Sequence, residues 1–122
     1  MGGEIAMAFE PFHYELEEFT DANGWLTTTI HCHGKIVSDN TSEVRALIKP
    51  LIERGGHIIL DFKDLQFLDS AGLGTIVSLK VSSVGRGLSK LDLVHLTPRI
   101  EKLLLLTNLF ELFAGNVPSH LL

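Results

Sequence analysis

The stretch from Ile58 to Gly74 constrains this chain more than any other. Ile58-Ile59-Leu60 is apolar, β-rich and too short for a helix, so it reads as a buried strand ending near Phe62, whereas Ala71 onward carries helical spacing. Between them the chain turns through Asp69-Ser70. A strand that feeds a helix in this way belongs to α/β architecture, in which crossover helices join parallel strands. At the turn, Ser70 is the expected N-cap. Its hydroxyl would accept from the free N–H of Gly72 or Leu73, and the positive end of the helix dipole would tolerate an anion, a phosphate on Ser70 included.

The flanking elements fit that class. Residues 13–19 alternate, with Tyr14 and Leu16 on one side and Glu15 and Glu17 on the other, and Asp21-Ala22-Asn23-Gly24 is a turn, so a hairpin opens the fold. Its return strand sets Leu26, Thr28, Ile30 and Cys32 toward the core and Trp25, Thr27, Thr29, His31 and His33 away from it. Asn40-Thr41-Ser42-Glu43 has capping-box spacing ahead of an apolar stripe at Val44, Leu47, Ile48, Leu51 and Ile52. Pro50 is expected to kink this helix, although the intact stripe argues that it continues, and Gly55-Gly56 to end it. Leu73, Ile76, Val77, Lys80, Val81 and Val84 mark the inner face of the second helix, which Gly85 and Gly87 stop. A strand over 91–96 follows, then Thr97-Pro98 caps a third helix buried through Ile100, Leu103 and Leu104. Asn108 is a left-handed end, with a short strand or turn over 109–113. The expectation is one α/β domain over 13–113, a mixed sheet of four to five strands with three or more helices, between an arm over 1–12 and a tail over 114–122.

Composition narrows the function classes. A length of 122 residues suits one domain with a real core. The net charge of -5 opposes the phosphate attraction on which nucleic-acid binding rests, so no direct nucleic-acid partner is expected. The single Cys32 excludes an internal disulfide and suits a reducing compartment. No apolar run approaches a membrane span, and the first residues lack a basic region ahead of an apolar one. A cytoplasmic location without membrane insertion is expected.

Asp64-Leu65 and Phe67-Leu68-Asp69-Ser70-Ala71-Gly72-Leu73-Gly74 match in register a signature of the form acidic-Leu, a few residues, apolar-Asp-Ser-x-Gly-Leu-Gly. In this the chain resembles the anti-sigma factor antagonist family, the STAS domain. A looser likeness runs from Gly34 to Phe113, through Asn108-Leu109-Phe110. The resemblance implies a protein that is not an enzyme and needs no cofactor. It would bind an anti-sigma factor that is also a serine kinase, and so control sigma-factor-dependent transcription. Ser70 would be the phosphorylation site, a serine phosphatase would reset it, and Asp69, Ser70, Gly72, Leu73 and Gly74 would form the partner-binding surface. The chain departs from the family pattern at Val37, where many antagonists carry an aspartate, with Asp39 two residues on. That departure keeps a second reading in view, a non-enzymatic STAS subunit or sensor in a transport or signalling complex.

Other chemistries are poorly matched. Val77 stands where a dinucleotide-binding fingerprint needs its third glycine. Ser70-Ala71-Gly72 is half of a hydrolase nucleophile elbow, but Leu68 replaces its first glycine and none of the six histidines has a spacing that implies a base. His31 and His33 share a strand face, but a metal site would need further ligands that the sequence does not announce.

Overall fold

A computed structural model of the chain describes residues 9–109 and Phe113. Strand β1 (His13–Thr20) and strand β2 (Leu26–Ile36) form the expected antiparallel hairpin. Its turn is held by Asp21, whose carboxylate accepts from the N–H groups of Asn23 and Trp25 at 2.8 and 2.9 Å, with Gly24 at φ 82°. A 3-10 turn (Ser38–Asn40) leads to helix α1 (Thr41–Arg54), strand β3 (Gly56–Leu68), helix α2 (Ser70–Arg86), strand β4 (Ser89–Val94) and helix α3 (Pro98–Leu106).

The sheet order is β1-β2-β3-β4, with β2, β3 and β4 parallel. Two successive right-handed crossovers in the same direction place α1 and α2 on one face. There Val44, Ile48 and Ile52 of α1 meet Ile30, Cys32, Leu60, Phe62 and Leu91 of the sheet and Leu73, Ile76 and Leu79 of α2 in one cluster, which Ile100, Leu104 and Phe113 complete. The inward set of β2 is the expected one: Thr28, Ile30 and Cys32 are at most 2% exposed.

Several local expectations are corrected. The Asn40 amide does not cap α1. It accepts from Val37 N–H and donates to the Lys35 carbonyl, both at 2.8 Å, because the 3-10 turn supplies nearer partners. As its intact stripe implied, helix α1 continues through Pro50, and Pro50 and Ala46 are both exposed, so water can satisfy the carbonyl that the proline leaves free. Strand β3 is longer than the expected 58–62, since β2 runs beside it and keeps pairing as far as Ile36 with Leu68, across two register shifts. The inner face of α2 is Leu73, Ile76, Leu79, Lys80 and Ser83, whereas Val81 and Val84 are 56% and 64% exposed. Lys80 is buried because its ammonium donates to the Leu91 carbonyl at 2.6 Å. Gly85 lies inside α2, and Gly87, left-handed at φ 70°, ends it. Strand β4 begins and ends two residues before the expected 91–96.

At the ends, Thr97 caps α3 by accepting from Ile100 N–H, and Asn108 is left-handed at φ 59°. Of the arm, Phe9 stacks on Phe67 with centroids 5.0 Å apart, and Phe12 is buried. Gly34 admits this segment: at φ 77°, an added Cβ would lie 2.2 Å from the Pro11 carbonyl oxygen. The rest of the arm, the middle of the short strand or turn expected over 109–113, and the tail over 114–122 lie outside the described residues.

Candidate functional site

The carboxyl ends of β2 and β3 lie side by side, so the turn at 38–40 and the start of α2 meet at one edge of the sheet. Asp69 joins them. Its N–H donates to the Ile36 carbonyl at 3.2 Å, and its carboxylate accepts from Gly72 N–H at 2.7 Å and Ser38 N–H at 3.2 Å. Asp69, extended at φ -92° and ψ -179°, is therefore the N-cap of α2. This corrects the expectation for Ser70, which is the first helical residue. The turn into the helix comes one position earlier, and aspartate caps as well as serine does.

Relieved of capping, the Ser70 hydroxyl is exposed and has no hydrogen-bond partner among the described residues. Gly74, one turn further along the same face, is also exposed, and nothing would lie within 4 Å of a Cβ added there. Gly72 and Leu73 point the other way. A Cβ on Gly72 would lie 2.3 Å from the Ile36 carbonyl oxygen, so glycine here lets the helix start press against β2. Leu73 is 4% exposed and belongs to the core. The five residues of the signature thus divide into an outer pair, Ser70 and Gly74, an inner pair, Gly72 and Leu73, and the bridging Asp69.

Two contributors to this surface were not singled out in the sequence. Ser38 is exposed and tied to Asp69, which brings the exposed Asp39 to the same edge. Arg45 of α1 donates to the Ser78 hydroxyl of α2 at 3.1 Å, placing a cation beside the helix that starts at Ser70. The available signal was topological: parallel neighbours bring their carboxyl-end loops together.

Among the described residues no histidine is paired with Ser70. His31 and His33 share the sheet face away from the helices, as expected, and both are engaged by carboxylates. Among the described residues no group of three or more His, Cys, Asp or Glu side chains could hold a metal ion, and no helix is long and apolar enough to cross a membrane.

A small mixed sheet with helices on one face and an exposed serine at an aspartate-capped helix start, beside the carboxyl ends of the parallel strands, defines a class of α/β domain. The family model of the STAS domain matches residues 15–121, and the chain belongs to the STAS domain family. Solved structures share the fold. The anti-sigma factor antagonist SpoIIAA in its unphosphorylated form is 24% identical with a TM-score of 0.63, over 80% of this chain and 82% of that one. The Bacillus cell fate determinant SpoIIAA in the phosphorylated form is 24% identical with a TM-score of 0.61, over 81% and 86%. An anti-sigma factor antagonist from Mycobacterium paratuberculosis is 17% identical with a TM-score of 0.65, over 84% and 83%.

Proposed function

We propose that this protein is an anti-sigma factor antagonist: a cytoplasmic binding module that sequesters an anti-sigma factor and is switched off by phosphorylation of Ser70. The observation that carries the reading is the division of labour between Asp69 and Ser70. Because the carboxylate of Asp69 holds the helix start, the serine hydroxyl is exposed and free for phosphoryl transfer, and its modification breaks no hydrogen bond among the described residues.

A phosphate at Ser70 adds about -1.5 to -2 charge at neutral pH. The helix N-terminus lessens the cost of that charge to the fold. At an interface the same charge must be desolvated beside Asp69 and near Asp39, and a penalty of about 2.8 kcal/mol already weakens binding a hundredfold. The unmodified protein is then the binding form, the anti-sigma factor is the kinase, and a serine phosphatase restores binding. Ser70, Gly74 and the rim of Asp69 meet the partner directly, while Gly72 and Leu73 set the position of that surface from inside.

The test is incubation with the serine-kinase anti-sigma factor of the same cell and ATP, with mass spectrometry and binding measured together. Phosphate on Ser70, tight binding by Ser70→Ala and weak binding by Ser70→Asp are expected. Phosphate elsewhere, or equal binding by modified and unmodified protein, overturns the switch. Val37, half-buried where many antagonists have aspartate, favours one other outcome: recovery of transport subunits and no ATP-binding kinase in a pull-down would assign the chain to the non-enzymatic subunit or sensor branch.

A further inference from the structure

Among the described residues the helices cover only one face of the sheet, and the other carries a chain of ionisable side chains that crosses it. Glu17 of β1 lies 3.5 Å from Nε2 of His31 on β2, and Nδ1 of His31 lies 3.0 Å from one carboxylate oxygen of Asp61 on β3. The other oxygen of Asp61 is 3.0 Å from Nδ1 of His95, the residue after β4, and accepts from Lys63 N–H at 3.0 Å. Asp61 is only 8% exposed, and His95 is held in the left-handed region at φ 54°, which a side-chain-bearing residue rarely adopts without support.

The decisive geometry is at His31. An ionised carboxylate only accepts, and a neutral imidazole donates from one nitrogen alone, so a neutral ring between Glu17 and Asp61 would aim a lone pair at one of them. Only imidazolium satisfies both. We propose that the open sheet face is a proton-controlled clasp, in which His31 as a cation links Glu17 to Asp61, and Asp61 in turn pins His95 and the connection into α3.

The remaining charged groups on this face pair largely among themselves. Glu15 meets His33 at 2.6 Å, His33 lies 4.0 Å from Asp64, His13 stacks on His33 at 4.7 Å, and His57 meets Asp92 at 2.5 Å. Lys63 is exposed beside Asp61, and Lys90 stands opposite His57 in the ladder.

Electrostatics points the same way. The hydrogen bond to Asp61 raises His31 above the ordinary 6.5, against desolvation and with help from the charge of Glu17. Asp61 lies below its ordinary 3.8 although burial opposes ionisation, because Lys63 N–H, His95 and His31 all donate to it. A raised histidine contributes stability that is complete below 6.5 and is lost as pH rises through the higher folded value. A depressed aspartate contributes stability present above 3.8 and lost as pH falls through the lower folded value. The clasp is therefore closed in mildly acidic solution and opens as pH rises through the raised folded value of His31.

The test is a long-range proton–nitrogen NMR titration of the full chain, with thermal midpoints from about pH 5 to 8.5, the range over which histidines change charge. His31 is expected to keep both ring protons above pH 6.5, and the midpoint to fall as one of them is lost. The exposed variant Glu17→Gln should return the titration part of the way to its ordinary value and flatten the fall. Asp61→Asn should remove the fall and speed amide exchange in residues 94–97 at least tenfold. If Asp61→Asn does not fold, Glu17→Gln decides alone. A His31 that titrates at or below its ordinary value, or is indifferent to Glu17→Gln, overturns the clasp.

Discussion

On the covered face of β2, Ile30 and Cys32 are sealed in an apolar core, while between and beside them His31 and His33 reach carboxylates of β1 and β3 on the open face. Parallel strands are usually buried on both faces, so an open one must be made compatible with water by its side chains. Here imidazole and carboxylate groups do this, joined across strands. The covered face is stabilised by removal of apolar area and is nearly indifferent to pH, whereas the open face depends on which protons are bound. Cys32 shows the divide: burial, with a smaller contribution from the charge of Asp61, pushes its thiol up to about 12, although the ring of its neighbour His31 is readily protonated.

The strongest way to sharpen the comparison is a pair of truncations at adjacent residues of β3. Leu60→Ala, on the covered face at 0% exposure, is expected to cost about 2–5 kcal/mol in urea denaturation. Ile59→Ala, half-buried on the open face, should cost no more than about 1 kcal/mol. Alkylation of Cys32 should accelerate in the first variant and stay slow in the second, since only the thiolate reacts. Equal losses would erase the distinction between the faces.

A second contrast lies within the first turns of α2. Gly72→Ala forces a methyl group onto the Ile36 carbonyl and should destabilise by about 1–3 kcal/mol. Gly74→Ala meets open space and should be neutral or stabilising by up to about 1 kcal/mol, as alanine is the better helix former. The thermal midpoint should therefore fall for Gly72→Ala and hold or rise for Gly74→Ala.

A smaller difference separates the cap from its neighbour. Asp69→Ala removes the acceptor for Gly72 and Ser38 and should cost about 0.5–2 kcal/mol. Ser70→Ala should change stability by less than about 0.5 kcal/mol, because its hydroxyl has no partner among the described residues. A Ser70→Ala loss as large as that of Asp69→Ala would restore the cap to serine.

Much of this was legible in residue order, and the limits have identifiable causes. The hairpin followed from alternation over residues 13–19 and the Asp21–Gly24 turn, and the start of α3 from Thr97-Pro98, because both signals act between residues a few positions apart. The signature from Asp64 to Gly74 marked the turn from β3 into α2. By itself the sequence determined the order of elements, the inward set of β2 and the family to which the chain belongs.

The tertiary structure decided what depends on distant partners. Asp69 rather than Ser70 caps α2 because the Ile36 carbonyl and the Ser38 N–H, more than thirty positions away, fix where the strand ends. Polar Lys63-Asp64 continues β3 because β2 lies alongside to take its hydrogen bonds. Asp61 binds His31 and His95, 30 and 34 positions away, only because parallel pairing brings three strands into register. Periodicity records which side of an element faces inward, but the pairing of one element with another is settled by chain crossovers and packing, which no local pattern of residues encodes.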